Sequence, residues 1–327
     1  KEGAQLEGSK AFAKSFMERH GIPTARYKEF SAGNYEEGVA YLKEHPLPIV
    51  LKADGLAAGK GVLICETIQE ALQGFEAMIQ DARFGEAGKK VVVEQFLKGI
   101  EVSVFVLTAG AHYVLLPEAK DYKRIGEGDK GPNTGGMGAV SPVPFVDAAL
   151  WNKIEQQVVV PTINGLQQDS IPYCGFIFIG FMIVAGDPYV IEYNCRMGDP
   201  ETEVVSPRLA TDLVALLDAA STGQLSPNSL PIDPRTACTV VAVSGGYPDG
   251  YAKGYPISGL DQPHASLIFH MGTVLHEGQV VTSGGRVLAV TSFANSVAEA
   301  AALSQQVQQQ IHYADKYCRT DIGYEFC

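Results

Sequence analysis

The sequence predicts an α/β protein, and three observations predict it. Stretches with apolar residues at helical spacing alternate with short β-branched runs. The connections between them are mostly short. Hydrophobic residues make up 46% of the 327 positions against 19% charged, which favours a packed core over disorder. This length accommodates about two domains. No internal repeat or low-complexity tract interrupts the chain.

Residues 7–20 carry a helical row (Ala11, Phe12, Ser15, Phe16, Arg19) that Gly21 and Pro23 stop. A helix-like stretch at 35–43 precedes an apolar strand at 48–52 that runs into a glycine-rich loop. Thr67 and Glu70 form a T-x-x-E capping box opening a helix through 77 or 78. Residues 91–96 and 102–108 read as strands. The polar stretch 120–138 reads as a functional loop or linker, since long structureless loops are otherwise uncommon. A helix at 151–166, strands at 175–184 and 189–194, and a helix near 210–221 follow. Three prolines in 226–234 mark a domain boundary, giving expected units of 1–232 and 233–327. The second unit is strand-rich and ends in a helix that Ser296 and Glu299 cap.

The formal charge is −12, from 25 Lys+Arg against 37 Asp+Glu, with no dense basic run. That argues against polynucleotide and anionic-membrane partners, but a few local cations suffice for a small phosphate ligand. Six scattered cysteines without a C-x-x-C pair offer neither a zinc site nor a redox motif, so free thiols in a reducing cytoplasm are expected. No signal peptide is read and no apolar run would span a bilayer. The first residues, Lys-Glu-Gly, lack a methionine, and a piece of a longer protein is expected.

Two segments carry chemistry. After Lys52, the run Gly55-Leu56-Ala57-Ala58-Gly59-Lys60-Gly61 puts small residues where backbone N–H groups approach phosphate oxygens, with two lysines adding charge. It is not a P-loop, because three residues separate Gly55 from Gly59 and Gly61 stands where a Ser or Thr would hold metal. The plainer alternative is a tight turn with a solvated Lys60. Gly126-Glu127-Gly128-Asp129-Lys130-Gly131 matches G-x-G-x-x-G but has no helix after it, which excludes a dinucleotide fingerprint.

In Tyr189-Val190-Ile191-Glu192-Tyr193-Asn194-Cys195-Arg196, strict alternation places Val190, Glu192, Asn194 and Arg196 on one face. A carboxylate, an amide and a guanidinium in succession suit a magnesium–phosphate site: Glu192 and Asn194 for the metal, Arg196 for the transferring group. The alternative is an edge strand with incidental polar residues. Asp199 and Glu201 follow on a turn, either orienting a substrate amine or supporting from behind.

The strand lysine, the small-residue loop with its second lysine and the late Glu-x-Asn-x-Arg strand resemble the ATP-grasp fold, in which two α+β subdomains close on ATP. The runs at 5–12, 52–62 and 191–202, with Gly131-Pro132-Asn133-Thr134-Gly135-Gly136-Met137-Gly138, are similar to the phosphoribosylamine–glycine ligase (glycinamide ribonucleotide synthetase) family. Ser283-Gly284-Gly285-Arg286 and Arg319-Thr320-Asp321-Ile322-Gly323 extend the likeness through essentially the whole chain. The resemblance implies ATP with magnesium or manganese, and ligation of glycine to 5-phosphoribosylamine through glycyl phosphate, in purine biosynthesis. It implies a mobile lid at about 26–96, and Lys52, Gly59, Lys60 and Gly61 at the ATP phosphates. Glu94, Phe96 and Leu97 would line the adenine pocket and Glu101 would hold the ribose. Asp121, Lys123, Arg124, Pro132, Asn133, Thr134, Gly135 and Gly136 would surround the substrates, with Arg286 approaching from the C-terminal domain. Arg196, Lys60 and Asp199 would act at the reacting groups, and Glu201 would bind substrate.

Two departures qualify this. The strand before Glu192 offers Gly180 or its neighbours where many ATP-grasp enzymes have a second metal carboxylate, so one well-held metal is expected. The family's N-terminal domain of roughly a hundred residues precedes the first motif. It is not in this sequence, so the chain is expected to bind ATP better than it completes the reaction. The remaining alternatives are another ATP-grasp ligase or carboxylase, or a non-catalytic nucleotide-binding fragment; a monomer or weak homodimer is expected.

Overall fold

The computed structural model describes residues 1–55, 61–80, 89–226 and 230–327. Its centre is a four-stranded antiparallel sheet, ordered Asp187–Asn194, Cys174–Val184, Ile100–Ala109, His112–Leu115. Alternation divides the two long strands between two cores. Val102, Val104, Val106, Ile177, Ile179 and Phe181 face one, and Phe105, Leu107 and Phe178 face the other. With both faces covered, these strands read as continuous apolar runs rather than as alternating ones.

The first face is covered by the helix Lys10–Arg19 and by helical residues 148–168, where a π-helical turn at Glu155–Val159 joins Ala148–Ile154 to Val160–Gln168. The expected helix at 7–20 is divided: Ser9 adopts an extended conformation and accepts a hydrogen bond from the Phe12 N–H, so a short turn Gln5–Gly8 precedes a separately capped helix. The opposite face is covered by Thr202–Arg208 and Leu213–Ser221. The latter begins later than the expected 210 because the Asp212 side chain caps it.

A second antiparallel sheet, ordered Tyr27–Ser31, Lys90–Gln95, Ile49–Ala53, Val62–Cys65, has helices Tyr35–Glu44 and Ile68–Ile79 on one face. Thr67 caps the second helix as expected, while Glu70 accepts from the Glu66 N–H. Ile49, Leu51, Val91 and Val93 point into the helix-covered core. Val50, Lys52, Val92 and Glu94 alternate onto the other face, and the register of the two strands sets Val50 opposite Glu94 and Lys52 opposite Val92.

The third sheet runs Leu267–His270, Arg286–Ala294, Thr236–Val243, Gly138–Ser141, Lys120–Asp121, with the helix Val297–Gln310 packed on it. Two of its strands come from before residue 142. The stretch 120–138 is therefore ordered rather than a structureless loop: Arg124–Gly126 and Lys130–Asn133 form a hairpin. Arg319, fully buried, clamps it by pairing with Asp129 and Asp321, both at 2.7 Å, and donating to the Arg124 carbonyl at 3.1 Å. Among the described residues no helix is long and apolar enough to cross a membrane.

Candidate active site

The polar face of the second sheet meets the strand Asp187–Asn194. Lys52 and Glu94 are 5% and 3% exposed. Lys52 Nζ lies 2.9 Å from Glu94 Oε2 and donates to the Ile191 carbonyl at 3.1 Å. Lys14, buried on the helix Lys10–Arg19, reaches the same Glu94 oxygen at 3.2 Å. Burial pushes the Lys14 amine down to about 8, with Glu94 opposing that shift. Among the described residues Glu94 Oε1 is buried without a hydrogen-bond partner, an acceptor that a ligand donor would satisfy.

Gly180 stands opposite Glu192, as counting back along the hairpin indicated, so no acid faces Glu192 and Asn194 from that strand. The alternation itself needs correcting. Phe181 pairs with Val190, leaving Ile191 as an inserted bulge residue. Val190 therefore shares the buried core with Tyr193, although an odd number of positions separates them. Glu192 is exposed and the side chains of Asn194 and Arg196 lie beside it: Asn194 Nδ2 donates to Glu192 Oε1 at 3.4 Å, and Arg196 donates to Asn194 Oδ1 at 3.3 Å. Arg196 also lies 3.4 Å from Glu7. Cys195 packs against the core, as its opposite face predicts.

A second cluster adjoins this one. Lys123 Nζ contacts Glu101 at 2.7 Å and Asp121 at 3.3 Å. Lys123 lowers the Glu101 carboxyl. Burial raises Asp121, and burial together with Asp121 pushes Glu201 up to about 8. Glu201, 3% exposed, accepts from Ser103 Oγ at 3.3 Å and lies under Gly198, where an added Cβ would stand 2.5 Å from its carboxylate. Glu192 acts electrostatically on both Lys10 and Lys123, which makes the two clusters one field.

The loop after the hairpin closes the third side. Gly136 has φ +118°, and a Cβ there would meet Pro200 at 2.3 Å, so only glycine fits. Thr134 is tied to the Lys123 carbonyl through both N–H and hydroxyl. Gly135 donates to Tyr247 Oη at 2.9 Å and accepts from Arg286 at 2.8 Å. Arg286 grips Asp199 with two bonds of 2.8 and 2.9 Å. Arg286 thus reaches this region from the C-terminal sheet.

Other expected site residues have contacts and exposure of their own. Arg124 bonds the Gly131 carbonyl at 2.8 Å, and Pro132 and Asn133 are exposed on the hairpin. Phe96 and Leu97 are half-buried where the chain leaves the second sheet for the central one. Gly61 is buried, its carbonyl accepting from the Ala53 N–H at 2.8 Å. Gly59 and Lys60 lie outside the described residues. Sequence reasoning missed Lys10 and Lys14 as individual residues; the available signal was a lysine at 14 among apolar positions 13, 16 and 17 of one helix.

Glu192 and Asn194 supply two oxygen donors, and among the described residues no group of three or more His, Cys, Asp or Glu could hold a metal. That donor set fits magnesium, which takes one or two protein groups and fills its octahedron with water and phosphate oxygens.

A lysine-bearing sheet set against a strand with a Glu-x-Asn pair is in keeping with the ATP-grasp fold, and residues 8–202 match the family model "Phosphoribosylglycinamide synthetase, ATP-grasp (A) domain". Residues 237–325 match the C domain of the same family. A phosphoribosylamine–glycine ligase of Vibrio cholerae is 48% identical over 324 residues, covering 98% of this chain and 75% of the relative. The crystal structure of a Thermotoga maritima phosphoribosylamine–glycine ligase aligns with a TM-score of 0.91 at 37% identity, covering 98% of this chain and 80% of that one. The chain belongs to the phosphoribosylamine–glycine ligase family, whose members are ATP-dependent ligases. A biotin carboxylase domain from Hydrogenobacter thermophilus, with a TM-score of 0.73 at 18% identity, covers 96% of this chain and 68% of its own and shares the fold alone.

Proposed function

We propose that this chain ligates glycine to 5-phosphoribosylamine through glycyl phosphate, with the nucleotide held between the two sheets. The observation that carries the reading is the bond from Lys52 to the Ile191 carbonyl, beside Glu192: it brings the lysine face of one sheet to the metal-type strand of the other. Lys52 and Lys10 neutralise phosphate charge, and Glu94 Oε1 and the half-buried 96–97 link receive the base. Val62 and Ile64, exposed on the strand beside Lys52, offer it an apolar wall. Glu192 and Asn194 would hold magnesium, which when bound would neutralise phosphate charge.

A glycine carboxylate oxygen attacks the γ-phosphorus and ADP leaves. The ribosylamine nitrogen then attacks the acyl carbon, and phosphate leaves with the amide formed. Arg196 neutralises charge at the transferring group. Asp121 and Glu201, two carboxylates raised by burial, suit an ammonium group such as that of glycine. Asp199, Arg286 and the 134–136 loop position the acceptor.

Hydroxylamine tests the intermediate. With ATP, magnesium and glycine, trapping is expected to give glycine hydroxamate, and a Glu192→Ala, Asn194→Ala variant to give none. ADP formation that depends on bicarbonate, without hydroxamate, would identify a carboxylase instead.

A further inference from the structure

A partly buried chain of hydrogen bonds that starts on another element holds the backbone just before Glu192. Lys14 Nζ donates to Thr24 Oγ1 at 2.7 Å, and that hydroxyl donates to the Val190 carbonyl at 2.7 Å. The Val190 N–H returns to the Pro23 carbonyl at 2.8 Å, completing a parallel bridge between Thr24 and Val190. The next carbonyl, on the bulge residue Ile191, accepts from Lys52. Two successive carbonyls are thus fixed by side chains outside the hairpin, and both lysines converge on one oxygen of Glu94.

The bulge makes this arrangement consequential. Ile191 has no register partner, so the ladder alone does not set the peptide orientation there. A one-residue change of phase would carry Glu192 and Asn194 to the buried face and Tyr193 to the open one. Val190 packs in the core on one side of the bulge and Glu192 rejoins the ladder opposite Gly180 on the other, so between them the Val190 and Ile191 carbonyls are what the outside side chains fix.

We propose that Lys14 and Thr24 are positioning residues that set the metal-binding geometry of Glu192 and Asn194 through the Val190–Ile191 bulge. Neither side chain needs to touch nucleotide or metal. The inference rests on Glu192 and Asn194 being the metal pair.

Direct Mn2+ binding in the presence of ADP, read from the free-ion electron paramagnetic resonance signal, tests it without relying on turnover. Thr24→Val keeps the shape but removes both hydrogen bonds, and is expected to weaken Mn2+ binding by roughly 10- to 100-fold, the range for supporting partners of metal ligands. Thr24→Ser retains the hydroxyl and is expected to bind within about threefold of the parent. Lys14→Met should weaken binding at least as much as Thr24→Val where it folds. If Thr24→Val binds Mn2+ like the parent while Glu192→Ala, Asn194→Ala has lost it, the positioning role is overturned, whatever the change in melting temperature. If the double variant itself binds Mn2+ normally, the metal assignment fails first and the inference fails with it.

Discussion

Glu94→Gln is expected to destabilise the chain by about 3–5 kcal/mol, the cost of breaking a buried ion pair from one side. Glu94 is the shared counter-charge of Lys14 and Lys52, both within 3.2 Å of one of its oxygens, and all three side chains are nearly removed from water. A glutamine retains the size and an acceptor but leaves two cations facing a neutral group. The pH dependence gives the mechanism away. Lys14 already lies at about 8, below the 10.5 of a free lysine, so the folded state binds fewer protons than the unfolded state between those values. Its contribution to stability therefore rises with pH across that window. Without Glu94, whose charge opposes the depression, the Lys14 window extends lower, so the variant's deficit should be larger at pH 6 than at pH 9. Thermal unfolding at the two pH values measures this; an equal deficit at both would show that charge is not the cause.

Arg286→Met is expected to lower kcat/KM for the acceptor amine by roughly 100-fold while leaving ATP affinity unchanged, since misplacement of about 1 Å at a reacting group costs that much. The side chain makes two bonds to the Asp199 carboxylate, one to the Asp199 carbonyl and one to the Gly135 carbonyl, so one residue fixes both the 199–201 turn and the 134–136 loop. Methionine fills the stem's volume but supplies no donor. The groups proposed to face ATP, Lys52 and Glu94, lie on another sheet and have no bond to Arg286 among those described. Steady-state kinetics with nucleotide binding measured separately checks it. A parallel fall in ATP affinity would place Arg286 in the fold's general stability instead.

Much of this architecture is legible from local pattern. The strand at 174–184 and the helix ends at Thr67 and Ser296 follow from β-branched runs and capping side chains, which are properties of adjacent residues. The Glu192–Asn194 pair is visible because a carboxylate and an amide two positions apart make a poor core face. What pattern cannot show is an inserted residue: strict alternation puts Val190 with Glu192, and only the pairing with Phe181 reveals the bulge. Lys14 is similarly hidden, because a lysine in an amphipathic helix ordinarily reads as solvated, and its partner Glu94 lies eighty positions away. The order in 120–138 comes from Arg319, whose bond to Asp129 spans 190 positions, and from strands paired with residues beyond 236. Such long-range contacts leave no trace in the local hydrophobicity.

The central claim is that one site couples ATP cleavage to joining two specific substrates. The most direct measurement is ADP release by this chain with ATP and magnesium, omitting glycine and phosphoribosylamine in turn. The account predicts sustained, multiple-turnover ADP release only when both are present, with one amide formed per ADP, and none from the Glu192→Ala, Asn194→Ala variant. ADP release that ignores glycine, or that survives in that variant, would contradict it.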